Sequence, residues 1–149
     1  MASYSIVNIS PDEIGTLIGK KLNQTTTEDI RRWNNKEYRL KRIRLPIHAL
    51  YYNLENVRTE EECEMYAKEN NLLADHFDIK NYSNISTQQQ YHSIIYAEAL
   101  EKEAEYRNKF INLREMQTEA IYVNLDGIAM NGNTRLSYWR ENDIFTEIE

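Results

Sequence analysis

Cysteine is almost missing from this chain, with Cys63 the single copy among 149 residues. No disulfide can close within the chain and no cysteine-rich zinc site can be built, which fits a reducing cytoplasm. Long apolar runs are missing too, and none approaches the roughly 20 residues of a membrane-crossing helix. The opening Met1-Ala2-Ser3-Tyr4-Ser5 lacks the charged and apolar regions of a secretory signal. No repeat or low-complexity segment interrupts the sequence. His48, His76 and His92 share no metal-ligand spacing, so each reads as structural or surface and no metal site is expected. A Walker loop, a dinucleotide fingerprint, a nucleophile elbow and a zinc-protease helix are all missing.

What is present suits one ordinary domain spanning 1–149. A hydrophobic fraction of 41% with 11% aromatics is enough to build a core. Eleven tyrosines supply much of the aromatic mass, so part of that core should be wet or half-exposed. The net charge of −6 argues against a surface that coats nucleic acid uniformly. Between Arg31 and Arg44, however, seven basic residues stand against Glu37 alone, giving +6 there and −12 elsewhere. Within that stretch Arg39, Lys41, Arg42 and Arg44 are candidates for contacting DNA phosphates; the alternative is a solvated face balanced by nearby acids.

The patterning predicts an α+β fold, a small mixed sheet with several helices. Ser10-Pro11-Asp12-Glu13 starts a helix with Ile14, Leu17, Ile18 and Leu22 on one face, and Gly15 and Gly19 for close packing. Thr25-Thr26-Thr27-Glu28 is read as capping a second short helix carrying Ile30 and Trp33. Residues 1–37 thus form a helical N-terminal extension to a core of 38–142. From Tyr38, alternation through Leu40, Ile43, Leu45 and Ile47 predicts a strand that Pro46 places at an edge. Helical spacing returns from Thr59 to Phe77, with Cys63, Tyr66, Ala67, Leu73 and Phe77 inside, so Cys63 reads as an inert buried thiol. A long amphipathic helix over 86–117 follows, its stripe running through Ile95, Ala99, Tyr106, Phe110 and Leu113. Ala120–Leu125 is the clearest strand; Asp126-Gly127 turns it, Ile128–Met130 returns, and a helix starts near Asn133 or Thr134. The acidic ending from Asp143 has no evident stop and is read as the edge of an N-terminal piece of a longer protein.

Two of the four glycines, Gly127 and Gly132, flank Ile128 to Asn131, where the backbone bends most sharply. A strand that stops at Asn131-Gly132 and feeds straight into a helix leaves free N–H groups at a positive helix end, a ready anion site. Arg135 in the first turn adds a fork for a phosphate, and Asn133 and Thr134 add short polar side chains. The bland reading makes Asn-Gly a tight turn, with Asn133 or Thr134 a helix cap. Upstream, Tyr51-Tyr52-Asn53-Leu54-Glu55-Asn56-Val57-Arg58 is either a loop of local side-chain turns or a second wall of the same pocket, through Asn56 and Arg58.

Together these segments resemble the ParB/sulfiredoxin-like superfamily over roughly residues 40 to 142. The matching order is a basic strand ending at Leu45-Pro46, the Tyr52–Arg58 loop, helices, and Asp126-Gly127-Ile128-Ala129-Met130-Asn131-Gly132-Asn133-Thr134-Arg135-Leu136. The resemblance implies a small α/β domain whose glycine-arginine turn grips nucleotide phosphates, in chromosome partitioning, DNA modification or phage defence. It assigns phosphate binding to Asn131, Gly132, Asn133, Thr134 and Arg135, with Asn56 and Arg58 on the upstream loop. The ligand implied is a nucleoside triphosphate with magnesium. Any catalysis would be nucleotide hydrolysis or nuclease action, but the family's hydrolases carry glutamate where this chain has Asn133, and an amide cannot serve as a general base. Sulfiredoxins need a cysteine in this turn, so that activity is set aside.

Two other readings stand beside it. One is a non-catalytic interaction module that docks helix 86–117 onto a partner or a second copy. The other is a metal-dependent enzyme using Asp126 or Glu55, ranked last for want of a carboxylate cluster.

Overall fold

The computed structural model describes residues 2–7, 9–105, 120–142 and 147–149. Helix α1 (Pro11–Gln24) begins as its sequence dictates: the Ser10 hydroxyl accepts the Glu13 N–H at 3.1 Å, and proline occupies the first turn. Ile14 and Ile18 are buried in the central apolar cluster, so α1 belongs to the core. Gly15 and Gly19 face open space, with nothing within 4 Å of a Cβ built on either, so the expected close packing does not occur.

The predicted second helix is a strand. Glu28–Trp33 (β1) pairs antiparallel with Lys36–Lys41 (β2) in a hairpin, so 1–37 is not a purely helical extension. The reason lies at its tip: Asn34 and Asn35 both adopt positive φ, 49° and 60°, the two-residue turn that matches strand twist. Thr25 does not cap a helix start; it is the C-cap of α1, and its hydroxyl donates to the Arg42 carbonyl at 2.6 Å. The strand expected from Tyr38 through Ile47 is broken: β2 ends at Lys41 with every residue exposed, strand resumes only at Leu45–Pro46, and Ile47–Ala49 is a 3-10 turn.

Among the described residues there are three two-stranded sheets, and with the helices they make an α+β fold. Besides the hairpin, β3 (Leu45–Pro46) pairs antiparallel with β6 (Glu147–Ile148). At the centre, β4 (Tyr51–Tyr52) pairs parallel with β5 (Ile128–Ala129). Ala120–Leu125, expected as the clearest strand, contributes one bridge, Val123 to Ala129. The Asn124 N–H also bonds the Ile128 carbonyl at 3.1 Å, but Ile121 N–H bonds the Glu149 carbonyl at 2.9 Å and Tyr122 N–H bonds the Asn131 side chain at 2.6 Å.

Helix α2 is Glu60–Glu69, shorter than the spacing predicted, because Asn71 turns to φ 54° just beyond it. Cys63 and Ala67 are buried as expected, but Leu73 is 77% exposed. Burial pushes the Cys63 thiol up to about 11, which keeps it protonated and inert. Helix α3 (Ile85–Glu105) starts from Asn84, whose side chain accepts the Thr87 N–H at 3.0 Å. It buries Tyr91, Ile95 and Ala99 and packs along α4 (Asn133–Asn142). The expected continuation of α3 through Tyr106, Phe110 and Leu113 to 117 falls outside the described residues. No helix among the described residues is long and apolar enough to cross a membrane.

Candidate functional site

The parallel pair β4–β5 sets the geometry. Tyr51 lies opposite Ile128 and Tyr52 opposite Ala129, so the strands end side by side and release two loops from the same edge. One carries Asn53, Asn56 and Arg58; the other carries Asn131 to Arg135. Loops at the carboxyl ends of parallel strands are the usual place for a ligand in such sheets.

Each loop is built from local side-chain bonds. Asn53 Oδ1 accepts the Glu55 N–H at 3.0 Å, and Asn56 Oδ1 accepts the Arg58 N–H at 3.1 Å to cap a short 3-10 turn, Val57–Thr59. Asn131 Oδ1 holds the Tyr122 N–H, and Gly132 then takes φ 81° before the Leu136 N–H closes the first helical bond on the Gly132 carbonyl at 2.9 Å. Only glycine adopts that φ without strain.

Asn133 joins the two loops. It is 8% exposed, its Oδ1 accepts the Asn53 N–H at 3.1 Å and its Nδ2 donates to the Asn53 carbonyl at 2.9 Å. The amide thus imitates one more residue of strand pairing beyond β4–β5. Nδ2 also lies 3.3 Å from the Tyr91 hydroxyl, which in turn is 3.0 Å from Thr59 Oγ1 and hydrogen-bonds Asn56. Burial holds the Tyr91 phenol above its ordinary pKa, so it stays neutral in this network. Asn56 and Asn133 thus meet at the Tyr91 hydroxyl. Asn133, though, faces inward as a tie between loops.

Arg135 folds back over the turn. One of its terminal nitrogens lies 2.8 Å from where a Gly132 Cβ would sit, and its guanidinium carbon lies 5.9 Å from the Trp139 ring. Thr134 and Arg135 are half-buried and Arg58 is exposed. N–H groups at a helix start with a guanidinium above them suit an anion. No group of three or more His, Cys, Asp or Glu able to hold a metal occurs among the described residues.

Helix α4 clamps β4 from both sides. Its first residue bonds Asn53, just after the strand. Arg140, 4% exposed, donates through Nε and Nη2 to the Ile47 carbonyl at 3.1 and 2.8 Å and through Nη2 to the Leu50 carbonyl at 2.7 Å, just before it. The Arg140 guanidinium lies 4.9 Å from the Tyr52 ring and 5.4 Å from the Tyr4 ring, while its Nη1 has no hydrogen-bond partner among the described residues.

Beneath it runs a buried relay that composition could not reveal. Glu141 accepts the Ser3 N–H at 2.6 Å, the Ser3 hydroxyl at 2.8 Å and the Tyr4 N–H at 2.7 Å, and contacts His92 Nε2 at 2.8 Å. Burial acts to raise the Glu141 pKa, but these bonds hold it below the usual carboxylate range. Burial lowers the His92 pKa against the pull of Glu141, so the ring is neutral near pH 7. An ionised carboxylate only accepts, so Nε2 carries the proton and Nδ1 accepts from the Tyr52 hydroxyl at 2.5 Å. Burial pushes the Tyr52 phenol up to about 12. The relay straps residues 3–4 over α3 and α4 and does not open onto the turn.

The four basic candidates lie elsewhere. Arg39, Lys41, Arg42 and Arg44 are exposed, and Arg42 pairs with Asp29 at 2.8 Å and with Glu149 at 3.6 Å. Arg39, Lys41 and Arg42 rim a cavity of about 350 Å³ whose walls include Ile18, Leu45 and Val123. None of Asn56, Arg58 or Asn131–Arg135 lines it. No family model matches the chain, and no curated protein or solved structure matches it either.

Proposed function

We propose that the Gly132 turn binds the phosphates of a nucleotide, in a ParB-like domain serving a DNA transaction in the cytoplasm. The observation that carries this reading is the pairing of the two loops. Parallel β4 and β5 end together, and Asn133 ties the loop of Asn56 and Arg58 to the helix start that presents Arg135. A phosphate at the turn would meet the N–H groups of Thr134 and Arg135 and the positive end of α4, with the Arg135 side chain swinging from Gly132 onto the anion. Arg58 supplies a second cation from across the loop. Binding, not hydrolysis, is the proposed activity, because Asn133 is an amide and is already spent on Asn53.

The alternative of an interaction module resting on helix 86–117 draws less support. The apolar positions Tyr91, Ile95 and Ala99 of α3 are consumed within the chain's own core. The test is calorimetry of a nucleotide panel with magnesium, wild type beside Arg135→Ala and Arg135→Lys. The proposal expects binding in the wild type, loss of at least about tenfold in Arg135→Ala, and partial retention in Arg135→Lys, which keeps charge without the fork. Equal affinity in wild type and Arg135→Ala would overturn it.

A further inference from the structure

We propose that the β1–β2 hairpin is a ribbon that enters the major groove of double-stranded DNA. This stands independently of the phosphate turn, because the two surfaces share no residue.

None of the described side chains of the hairpin joins the apolar core cluster. All of β2 is exposed, and Ile30 and Tyr38 are 56% and 40% exposed. A two-stranded ribbon alone is marginally stable in water, and this one is pinned chiefly at its base. There the Arg42 N–H bonds the Thr27 carbonyl at 2.8 Å, Thr25 bonds the Arg42 carbonyl, and Arg42 pairs with Asp29. Farther out, the Arg31 guanidinium reaches the Tyr122 ring at 6.0 Å. Arg39, Leu40 and Lys41 line the cavity against Ile18 and Ile121, while the side chains of Arg32, Glu37 and Tyr38 are exposed.

Charge chooses the partner. Residues 28–44 carry seven basic and three acidic side chains in a chain of net charge −6, and Arg42 already offsets the acid Asp29. The remainder of the molecule repels a polyanion, so approach is favoured at the ribbon. Register sets where this charge lies: Lys41 stands opposite Glu28, Arg39 opposite Ile30 and Arg32 opposite Glu37. Cross-strand partners share a face, so Arg32, Arg39 and Lys41 lie on one face of the ribbon together with the carboxylates Glu28 and Glu37. The tip residues Asn34 and Asn35 present amides, which can both donate to and accept from base edges. Shape then selects the duplex. The DNA major groove admits a two-stranded ribbon, whereas the major groove of an RNA duplex is too deep and narrow to be read by side chains.

The experiment is fluorescence anisotropy of a labelled mixed-sequence DNA duplex, titrated with the full chain at several salt concentrations. If Arg32, Arg39 and Lys41 each neutralise a phosphate, affinity falls about 40-fold between roughly 50 and 200 mM salt. Arg32→Glu with Arg39→Glu, both on exposed side chains, should weaken binding at least about tenfold while leaving nucleotide affinity unchanged. Arg135→Ala should bind the duplex as the wild type does. The proposal is overturned if the wild type fails to bind duplex at low salt, if the double charge reversal binds equally well, or if single-stranded DNA or duplex RNA binds more tightly.

Discussion

Asn133 carries a structural load that its residue type alone does not announce. Truncating it leaves the N–H and carbonyl of Asn53 without partners at a buried junction, and each such loss costs about 1–3 kcal/mol. Asn133→Ala is therefore expected to lower stability by about 2–4 kcal/mol, measured by urea denaturation; a loss below measurement error would contradict the bridging role. Gly127 is the second sensitive position. Its φ is 82°, and an added Cβ would sit 2.5 Å from Cγ1 of Ile14, which is fully buried. Gly127→Ala should cost about 2–4 kcal/mol through backbone strain and overpacking, and an unshifted denaturation midpoint would sink this account of how α1 seats on the β5 turn. Both residues could be picked out of the sequence as turn chemistry. Their partners could not, because Asn53 and Ile14 lie far along the chain and no local pattern encodes such pairings.

At the scale of elements, the account depends on α4 clamping β4 and on the N-terminal strap that α4 holds through Glu141. Removing that carboxylate strands the His92 Nε2 proton in a buried site and releases the Ser3 and Tyr4 amides. Glu141→Ala should cost about 2–4 kcal/mol, with Glu141→Gln milder because its amide oxygen can still accept. Equal losses in the two variants would argue against hydrogen bonding as the cause. The start of α1, the buried face of α2 at Cys63 and Ala67, and the opening of α4 were readable because caps and apolar spacing are local signals. The first strand of the hairpin reads as helix because Thr25-x-x-Glu28 imitates a helix start. The decisive feature, two successive asparagines at positive φ, is equally compatible with a loop. The segment 120–125 has strand composition and bonds back to Ile128 and Met130, but the amides of Ile121 and Tyr122 go to the Glu149 carbonyl and the Asn131 side chain, which limits its pairing to one bridge.

For the whole molecule, the buried relay predicts the shape of stability against pH. His92 has a folded pKa below its ordinary 6.5 and Glu141 one below its ordinary 4.5, so the unfolded chain takes up their protons first as pH falls. Their stabilisation is intact above those unfolded values and is lost on acidification, His92 acting first. Tyr52, raised to about 12 from 10.0, acts in the opposite limb, because the unfolded chain loses that proton first as pH rises. Tm should therefore be highest between about 6.5 and 10 and fall on both sides; in His92→Phe the first acid-side decline should begin nearer pH 4.5. A wild-type profile still rising below pH 6 would contradict the neutral assignment of His92.

The uneven distribution of charge was legible from the first count of basic residues, and so was the glycine turn. Their separation onto different surfaces needed the fold. The central claim, that phosphates bind at the Gly132 turn, is tested most directly by amide chemical-shift mapping during titration with a nucleoside triphosphate and magnesium. The account predicts that the largest shifts fall on Gly132, Asn133, Thr134 and Arg135, with smaller ones at Asn56 and Arg58. Shifts confined to the walls of the cavity beside α1, or none at saturating nucleotide, would contradict it.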